Sequence, residues 1–179
     1  MSIVDYLYNE YERIVSFLNE NGQPSLASDA NKYFKKVILL SSASYFEHEI
    51  QDIIVSYVES STNNNIKVIN LLKKKAISSN YHTFFSWGEK NDPNKPGKNA
   101  NVFFSMFGDD FKVEVQNDIK DNEALDKSIK SFLEIGHLRN ILVHSNFAAY
   151  NLDNKTPDEI YNLHKQSEMF INFVRTKLS

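Results

Sequence analysis

The sequence predicts an all-α protein: a single-domain helical bundle with one long central helix, an irregular middle insertion and a C-terminal closing helix. Apolar residues recur three and four positions apart along most of the chain, as they do on one face of a helix. Alternating apolar and polar runs, which are typical of half-buried strands, are scarce. With 179 residues, of which 41% are hydrophobic, the chain is expected to form one domain, 1–179, with a sizeable core.

Three helices are predicted in the first half of the chain. They run from Val4 to Leu18, from Ser28 or Asp29 to about Val58, and from Ile66 to Ala76. Gly22-Gln23-Pro24 separates the first helix from the second. The centre of the second helix, Leu40–Ser44, is rich in Ser and Ala, so another helix can approach it closely. Lys73, Lys74 and Lys75 suit a helix C-terminus because cations are favoured there by the macrodipole.

The second half alternates short elements and loops. We expect a short helix at Tyr81–Trp87, a loop at Gly88–Ala100 and a short helix at Asn101–Phe107. A brief strand or helical turn at Phe111–Val115 is expected next, and then a long helix that starts at Asp121 or Asn122. A polar loop at Tyr150–Lys155 leads to a last helix that ends near Lys177. The last helix has the clearest start: Thr156 as N-cap, Pro157 at the first helical position and Glu159 three residues after the cap.

Composition excludes several kinds of chemistry. The chain has no cysteine, so it has no disulfides, thiolate nucleophiles or Cys-ligated metals, which fits a reducing cytoplasm. The first residues lack a basic region followed by an apolar run, and no apolar run approaches the ~18 residues that span a bilayer. We therefore expect a cytoplasmic protein with no membrane partner. Because the net charge is -3, any contact with nucleic acid must come from a local patch.

The most informative stretch is 134–144, where Arg139, Asn140 and His144 lie among aliphatic residues near the end of a predicted helix. Arg139 and His144 are five residues apart, so on an ideal helix they point roughly 140° apart. Asn140 and His144 are four apart and share a face. Two arrangements reconcile this spacing with one site: either the helix ends at His144 and the ring swings around, or two copies of the helix meet in a dimer. The plain alternative is a helix end whose basic residues satisfy the last carbonyl groups.

These residues resemble the HEPN superfamily, in particular its prokaryotic branch of ribonuclease toxins and defence proteins, similar to the RiboL-PSP-type domains. The hallmark of that family is Arg, four to six residues, then His, commonly with a polar residue after Arg, and Arg139-Asn140-Ile141-Leu142-Val143-His144 matches its shortest spacing. The segment 39–47, which ends in Glu47, is similar to the upstream small-residue helix of many such domains. One departure is Asn146, which stands where some of these toxins carry a Tyr that an antitoxin modifies.

The resemblance implies metal-independent RNA cleavage at a homodimer interface, with no cofactor and with an antitoxin protein as a further partner. His144 would move protons, and Arg139 would stabilise charge on the phosphate. Asn140 would hold the phosphate or orient His144. Glu47 would pair with Arg139 or fix an imidazole, although Glu49 is an equal candidate for this supporting role. The functional alternative is a non-catalytic helical module that binds RNA, a nucleotide or a protein.

Other residues carry weaker signals. His137, one turn before Asn140, is a candidate for substrate contact, and Lys73, Lys74 and Lys75 are candidates for contact with the RNA backbone. For His48, His82 and His164 we expect structural or exposed positions, because they show no metal-ligand spacing. The aromatic residues of 81–87 are expected to pack in the core, although they are also able to stack on bases. Gly136 costs about 1 kcal/mol in a helix relative to Ala, and a close helix–helix approach at a dimer interface would explain it.

Overall fold

A 38-residue helix, α2 (Pro24–Ser61), is the central element of the fold. The computed structural model describes residues 2–152 and 155–179. In it α2 packs against α1 (Ile3–Glu20), α7 (Glu123–His144) and α8 (Pro157–Lys177), and α7 also packs along α8. The prediction of an all-α fold with one long central helix and a closing helix is confirmed. None of the described helices combines the length and apolarity needed to cross a membrane.

The start of α2 differs from the prediction. The helix begins at Pro24 and not at Ser28 or Asp29, and its N-cap residue, Gln23, makes no capping bond with its side chain. Proline is compatible with the first helical position because its missing N–H would have no partner there. At the other end, α2 continues to Ser61, and Asn63 and Asn64 then turn the chain with positive φ angles of 49° and 58°.

The region after α2 is less regular than predicted. It consists of α3 (Ile66–Leu72), a π-helical turn (Lys73–Ile77), the short α4 (Ser78–Asn80) and a 3₁₀ turn (Tyr81–Thr83). The predicted helix over Ile66–Ala76 therefore changes its winding at the lysines, and the predicted helix over Tyr81–Trp87 is only the 3₁₀ turn. Side chains in α4 bond to carbonyl groups five residues earlier: Ser79 Oγ donates to Lys74 O at 2.7 Å, and Asn80 Nδ2 donates to Lys75 O at 2.8 Å.

The predicted loop over Gly88–Ala100 contains a small antiparallel hairpin, so that expectation was wrong in part. Its strands are β1 (Gly88–Glu89) and β2 (Asp92–Pro96). Gly97 N donates to Trp87 O at 2.8 Å and closes the base of the hairpin. The prolines and glycines marked the turns correctly, but pairing depends on register between two segments, which local turn chemistry does not reveal.

The rest of the chain returns to helices. The short α5 (Asn101–Ser105) is followed by α6 (Asp109–Lys120), so the predicted strand or turn at Phe111–Val115 is part of a helix. Asn122 caps α7, as one of the two predicted residues, and its side chain accepts from Leu125 N at 3.0 Å.

The core between these helices is rich in phenylalanine. Phe132 on α7 lies centrally, with its ring centroid 4.9 Å from those of Phe85 and Phe170 and 5.7 Å from that of Phe46. All four rings are buried. This cluster joins α2, α7, α8 and the segment before the hairpin, and it fixes the floor of the site described next.

Candidate active site

A pocket of about 190 Å³ lies between α2, α7 and the segment 78–87. Its walls combine an apolar floor with polar side chains. They are formed by Ala43, Phe46, Glu47, Ser78, Ser79, Tyr81, His82, Trp87, Phe132, Ile135, Gly136, Arg139 and Asn140. Three of the four predicted catalytic residues, Glu47, Arg139 and Asn140, thus line the same cavity.

Arg139 and Asn140 form a hydrogen-bonded pair on α7. Arg139 Nη1 donates to Asn140 Oδ1 at 3.1 Å, and both side chains are half-buried. Within residues 2–152 and 155–179, no carboxylate forms an ion pair with this guanidinium. Because a guanidinium has five N–H donors in a planar fork, it keeps donors for an anion, and the carboxamide keeps its NH₂ group for a second acceptor.

The structure distinguishes the two acidic candidates on α2. Glu47 lines the pocket, and its Oε1 accepts from Gln51 Nε2 at 3.2 Å. Glu49 lies on the side facing α8 and forms an ion pair with Arg175. Glu47 is therefore the carboxylate that shares the cavity with Arg139. The expected direct pairing of Glu47 with Arg139 is not formed.

Trp87 forms one wall and explains the glycine in α7. A Cβ atom added to Gly136 would lie 2.0 Å from Trp87 Cε3, so the indole ring rests directly on the helix backbone. Trp87 Nε1 also donates to His82 O at 3.0 Å. An intramolecular contact with an aromatic ring therefore explains Gly136 without a close helix–helix approach at a dimer interface.

Tyr81 and His82 reach the pocket from the 3₁₀ turn. Burial raises the pKa of Tyr81, and the negative charge of Glu47 raises it further while Arg139 opposes this. The phenol is therefore a neutral donor close to both charged groups. His82 is exposed, in agreement with the expected structural or exposed position, and it is also among the residues that line the same cavity as Arg139. The sequence carries no signal for this placement, because His82 and Arg139 are far apart in the chain and only the fold brings them to the same cavity.

His144 lies outside this cavity. It is the last residue of α7 and is exposed, whereas Arg139 on the same helix is half-buried in the pocket. One arrangement considered above had the helix ending at His144, with the ring swinging round to join Arg139. The helix does end there, but the ring does not line the pocket of its own chain. A cation at this end is favoured by the helix dipole.

Two buried lysines of α2 hold the chain just after His144. Lys36 Nζ donates to Phe147 O at 2.6 Å and lies 5.1 Å from the Phe147 ring centroid, while Lys35 Nζ donates to Leu152 O at 2.8 Å. Burial lowers the pKa of Lys36, and the neighbouring charges of Lys32 and Lys35 lower it further. Sequence reasoning missed both lysines, although their position inside an apolar-periodic helix was a usable signal.

The predicted substrate-contacting residues lie elsewhere. His137 is 5% exposed and packs beneath Gly88 of the hairpin, so it presents almost no surface to RNA. Its Nε2 is buried without a hydrogen-bond partner in the described part of the chain. Lys73, Lys74 and Lys75 are exposed on the π-helical turn, next to the pocket wall but not part of its lining.

Asp5, His164 and Glu168 form a separate cluster whose candidate ligand atoms lie within 4.8 Å of one another. Lys165 occupies this cluster, since its Nζ donates to Asp5 at 3.4 Å and to Glu168 at 2.5 Å. A cation already balances the two carboxylates, which opposes a metal ion. His164 is fully buried against the Phe46 ring, and burial lowers its pKa to about 4, so its role is structural, as expected.

The fold and the pocket define a helical domain that presents an arginine–asparagine pair in a partly aromatic cavity. The chain belongs to the RiboL-PSP-HEPN family, whose model matches residues 5–179. Comparison with curated proteins and with solved structures found no significant match. The resemblance drawn from the Arg139–His144 motif is thus confirmed at the level of the family.

Proposed function

We propose that this protein is a metal-independent endoribonuclease of the toxin–antitoxin or anti-phage defence type, which acts in the cytoplasm as a homodimer. The observation that carries the proposal is the Arg139–Asn140 pair. Beyond its bond to Asn140, the guanidinium has further N–H donors for a phosphate, and it lines a cavity whose walls are polar and aromatic. Membership of a HEPN family supports the same RNA-directed function. Since Asn146 replaces the Tyr that some related toxins carry, an antitoxin partner would act by another route than modification of that residue.

The proposed reaction is transesterification within the RNA. The 2′-oxygen attacks the adjacent phosphorus, the bond from phosphorus to the 5′-oxygen breaks, and a cyclic phosphate and a 5′-hydroxyl result. A neutral imidazole accepts the proton of the 2′-hydroxyl, and an imidazolium gives a proton to the leaving 5′-oxygen. Arg139 stabilises the extra negative charge of the pentacoordinate phosphorus, and Asn140 orients the phosphate. No water and no metal ion is required.

A dimer would supply the imidazoles that one chain does not bring to its own pocket. His144 lies at the exposed end of α7, where large apolar side chains are also exposed: Val143 by 47%, Phe147 by 43% and Tyr33 by 49%. Tyr33 and Phe147 flank the same amine, that of Lys36. A two-fold contact through this surface would bury apolar area and bring two copies of Arg139 and His144 into one cleft.

The dimer is tested by light scattering or sedimentation of the native chain and of Phe147→Glu. We expect a dimer for the native chain and a monomer with little cleavage activity for the variant, because the apolar ring that the contact would bury is replaced by a charged side chain. Phe17→Glu is the matched control, since Phe17 is 63% exposed on α1 and does not belong to the apolar group named above. A native chain that stays monomeric at high micromolar concentration would contradict the proposal.

The chemistry is tested by incubating the purified protein with total RNA in EDTA. The native chain is expected to cleave and to leave cyclic phosphate ends. His144→Ala is expected to lose about 10²–10⁴-fold in rate, because the proton-transfer group is removed. Arg139→Lys keeps the charge but loses the planar fork, so it is expected to be impaired, and Asn140→Ala is expected to be affected less. His48→Ala, at an exposed position of α2, serves as the control.

The second candidate function is a non-catalytic module that binds RNA, a nucleotide or a protein through the same cavity. It is favoured by the separation of His144 from the pocket within one chain. Full activity of His144→Ala, or loss of native activity in EDTA, would make this the better description.

A further inference from the structure

The pocket beside Arg139 has walls that its role in phosphate binding does not explain. Phosphate recognition needs donors such as Arg139. It does not need the indole of Trp87, the phenol of Tyr81 or the apolar floor of Phe46 and Phe132. Flat aromatic and apolar surfaces next to a phosphate-binding group are what a nucleobase stacks on.

The aromatic wall is held firmly in place. Trp87 is fixed by its bond to His82 O at 3.0 Å and by its contact with the backbone at Gly136. Its ring centroid lies 5.0 Å from that of Phe85 and 5.7 Å from those of Tyr81 and Phe132. A wall that is fixed before a ligand arrives loses little conformational entropy on binding.

The polar side chains define which hydrogen bonds a base in this pocket would make. Arg139 already donates to Asn140 Oδ1, so the NH₂ group of the carboxamide remains as a donor. Its two N–H bonds allow it to donate to a phosphate oxygen and to a base at the same time. The carboxylate of Glu47 offers two oxygens as acceptors. The pocket therefore presents a donor from Asn140 and acceptors from Glu47.

To satisfy both oxygens of the Glu47 carboxylate, a base needs two adjacent donors, with an acceptor beside them for the NH₂ group of Asn140. Guanine is the one base of the four that offers this set on a single edge, as the donors N1–H and N2–H and the acceptor O6. Adenine and cytosine also pair a donor with an acceptor but leave one carboxylate oxygen without a donor, and uracil has a single donor between two acceptors. A base that leaves a buried polar group unpaired is discriminated against by about 1–3 kcal/mol, or roughly tenfold or more in affinity.

We propose that the cavity lined by Trp87, Tyr81, Glu47 and Asn140 is a guanine-binding subsite that sets the base preference next to the phosphate held by Arg139. The proposal rests on the proposed RNA-directed function for its biological setting. Binding of a mononucleotide to this subsite does not require cleavage, so the two are tested separately.

Trp87 is the only tryptophan of the chain, so its indole N–H gives a single resonance in a ¹⁵N-correlated NMR spectrum. The native protein is titrated with the four nucleoside 3′-monophosphates and with inorganic phosphate. We expect saturable shifts of the indole resonance, with the guanine nucleotide binding about tenfold or more tightly than the uracil nucleotide. Inorganic phosphate alone should leave the resonance almost unchanged.

Glu47→Gln is the decisive variant, because it replaces an acceptor by a donor at constant size. It should abolish most of the preference for guanine while the indole resonance of the free protein stays in place. Glu20→Gln, at the exposed end of α1, is the matched control and should keep the native preference. Tyr81→Leu should weaken all four nucleotides together, since stacking does not depend on the identity of the base.

The guanine subsite is overturned if inorganic phosphate reproduces the shifts, if the four nucleotides bind equally well to the native chain, or if no shift occurs at millimolar nucleotide. These outcomes leave the ribonuclease proposal standing. Conversely, selective binding of the guanine nucleotide by a protein that does not cleave RNA would support the subsite and remove the ribonuclease.

Discussion

Gly136 shows how one residue determines the shape of the pocket. It lies one turn before Arg139 and Asn140, and the indole of Trp87 lies against its Cα. The sequence showed that glycine was unusual at this position of a helix, but not which group required the space. Arg139, Asn140 and Glu47 were predicted through the Arg-to-His motif and the segment upstream, both of which can be read locally. His82 could not be found in this way, because only the packing of distant segments brings it to the pocket.

Gly136→Ala tests this contact. We expect a loss of about 1–3 kcal/mol in the free energy of unfolding, because the added methyl group would overlap the indole ring. The loss should be much smaller in a Trp87→Leu background, where the ring is absent. Urea unfolding of the two single variants and the double variant measures the coupling between the residues. Additive effects would show that the ring does not restrict position 136.

At the scale of elements, the start of a helix was predicted well where the sequence contains residues that cap it through their side chains. Thr156-Pro157-Asp158-Glu159 was predicted to start a helix, and α8 begins there with both bonds of a capping box formed: Thr156 Oγ1 accepts from Glu159 N at 3.1 Å, and Glu159 Oε2 accepts from Thr156 N at 2.7 Å. The hairpin of β1 and β2 and the early start of α2 were missed. The hairpin depends on pairing between separate segments, and the first turn of α2 lacks the side-chain cap on which the prediction relied.

The cap of α8 can be tested alone. Thr156→Ala should lower the free energy of unfolding by about 1 kcal/mol, since the N–H of Glu159 loses its acceptor. Thr176→Ala, in the last turn of the same helix, should change it much less, because alanine is the better helix former. Thermal or urea unfolding of both variants gives the comparison, and equal effects would argue against a contribution from the cap.

At the scale of the whole molecule, the two ends of the chain are joined through His164. This residue of α8 is buried between α1 and α2, and its Nε2 lies 3.3 Å from Ser2 Oγ. Tyr161 Oη donates to Asp5 Oδ1 at 2.8 Å beside it. The general packing of α1, α2 and α8 followed from their apolar faces, but the placement of a histidine inside that packing did not.

A buried neutral histidine makes stability depend on pH. In the folded chain the pKa of His164 is lowered to about 4 by burial, against 6.5 for the ordinary group. The unfolded chain therefore binds the extra proton first, and stability falls as the pH decreases from about 7 towards 4, by at most about 3 kcal/mol. His164→Gln lacks this proton, so the difference in free energy of unfolding between native and variant should shrink over this range. A difference that does not vary between pH 7.5 and pH 5 would contradict this role.

The π-helical turn at Lys73–Ile77 determines the side on which the chain leaves the helix, and therefore where Tyr81 and His82 lie. Such a turn holds one more residue than an α-helical turn, and each residue of an α-helix rotates the chain by about 100°. Deleting one of the three lysines would let the backbone rewind as a regular helix, and Tyr81 and His82 would then leave the helix on a different side. The charge of the surface would barely change, yet the wall of the pocket would be turned away from Arg139. The shape of the pocket therefore depends on the length of the lysine run more than on its charge.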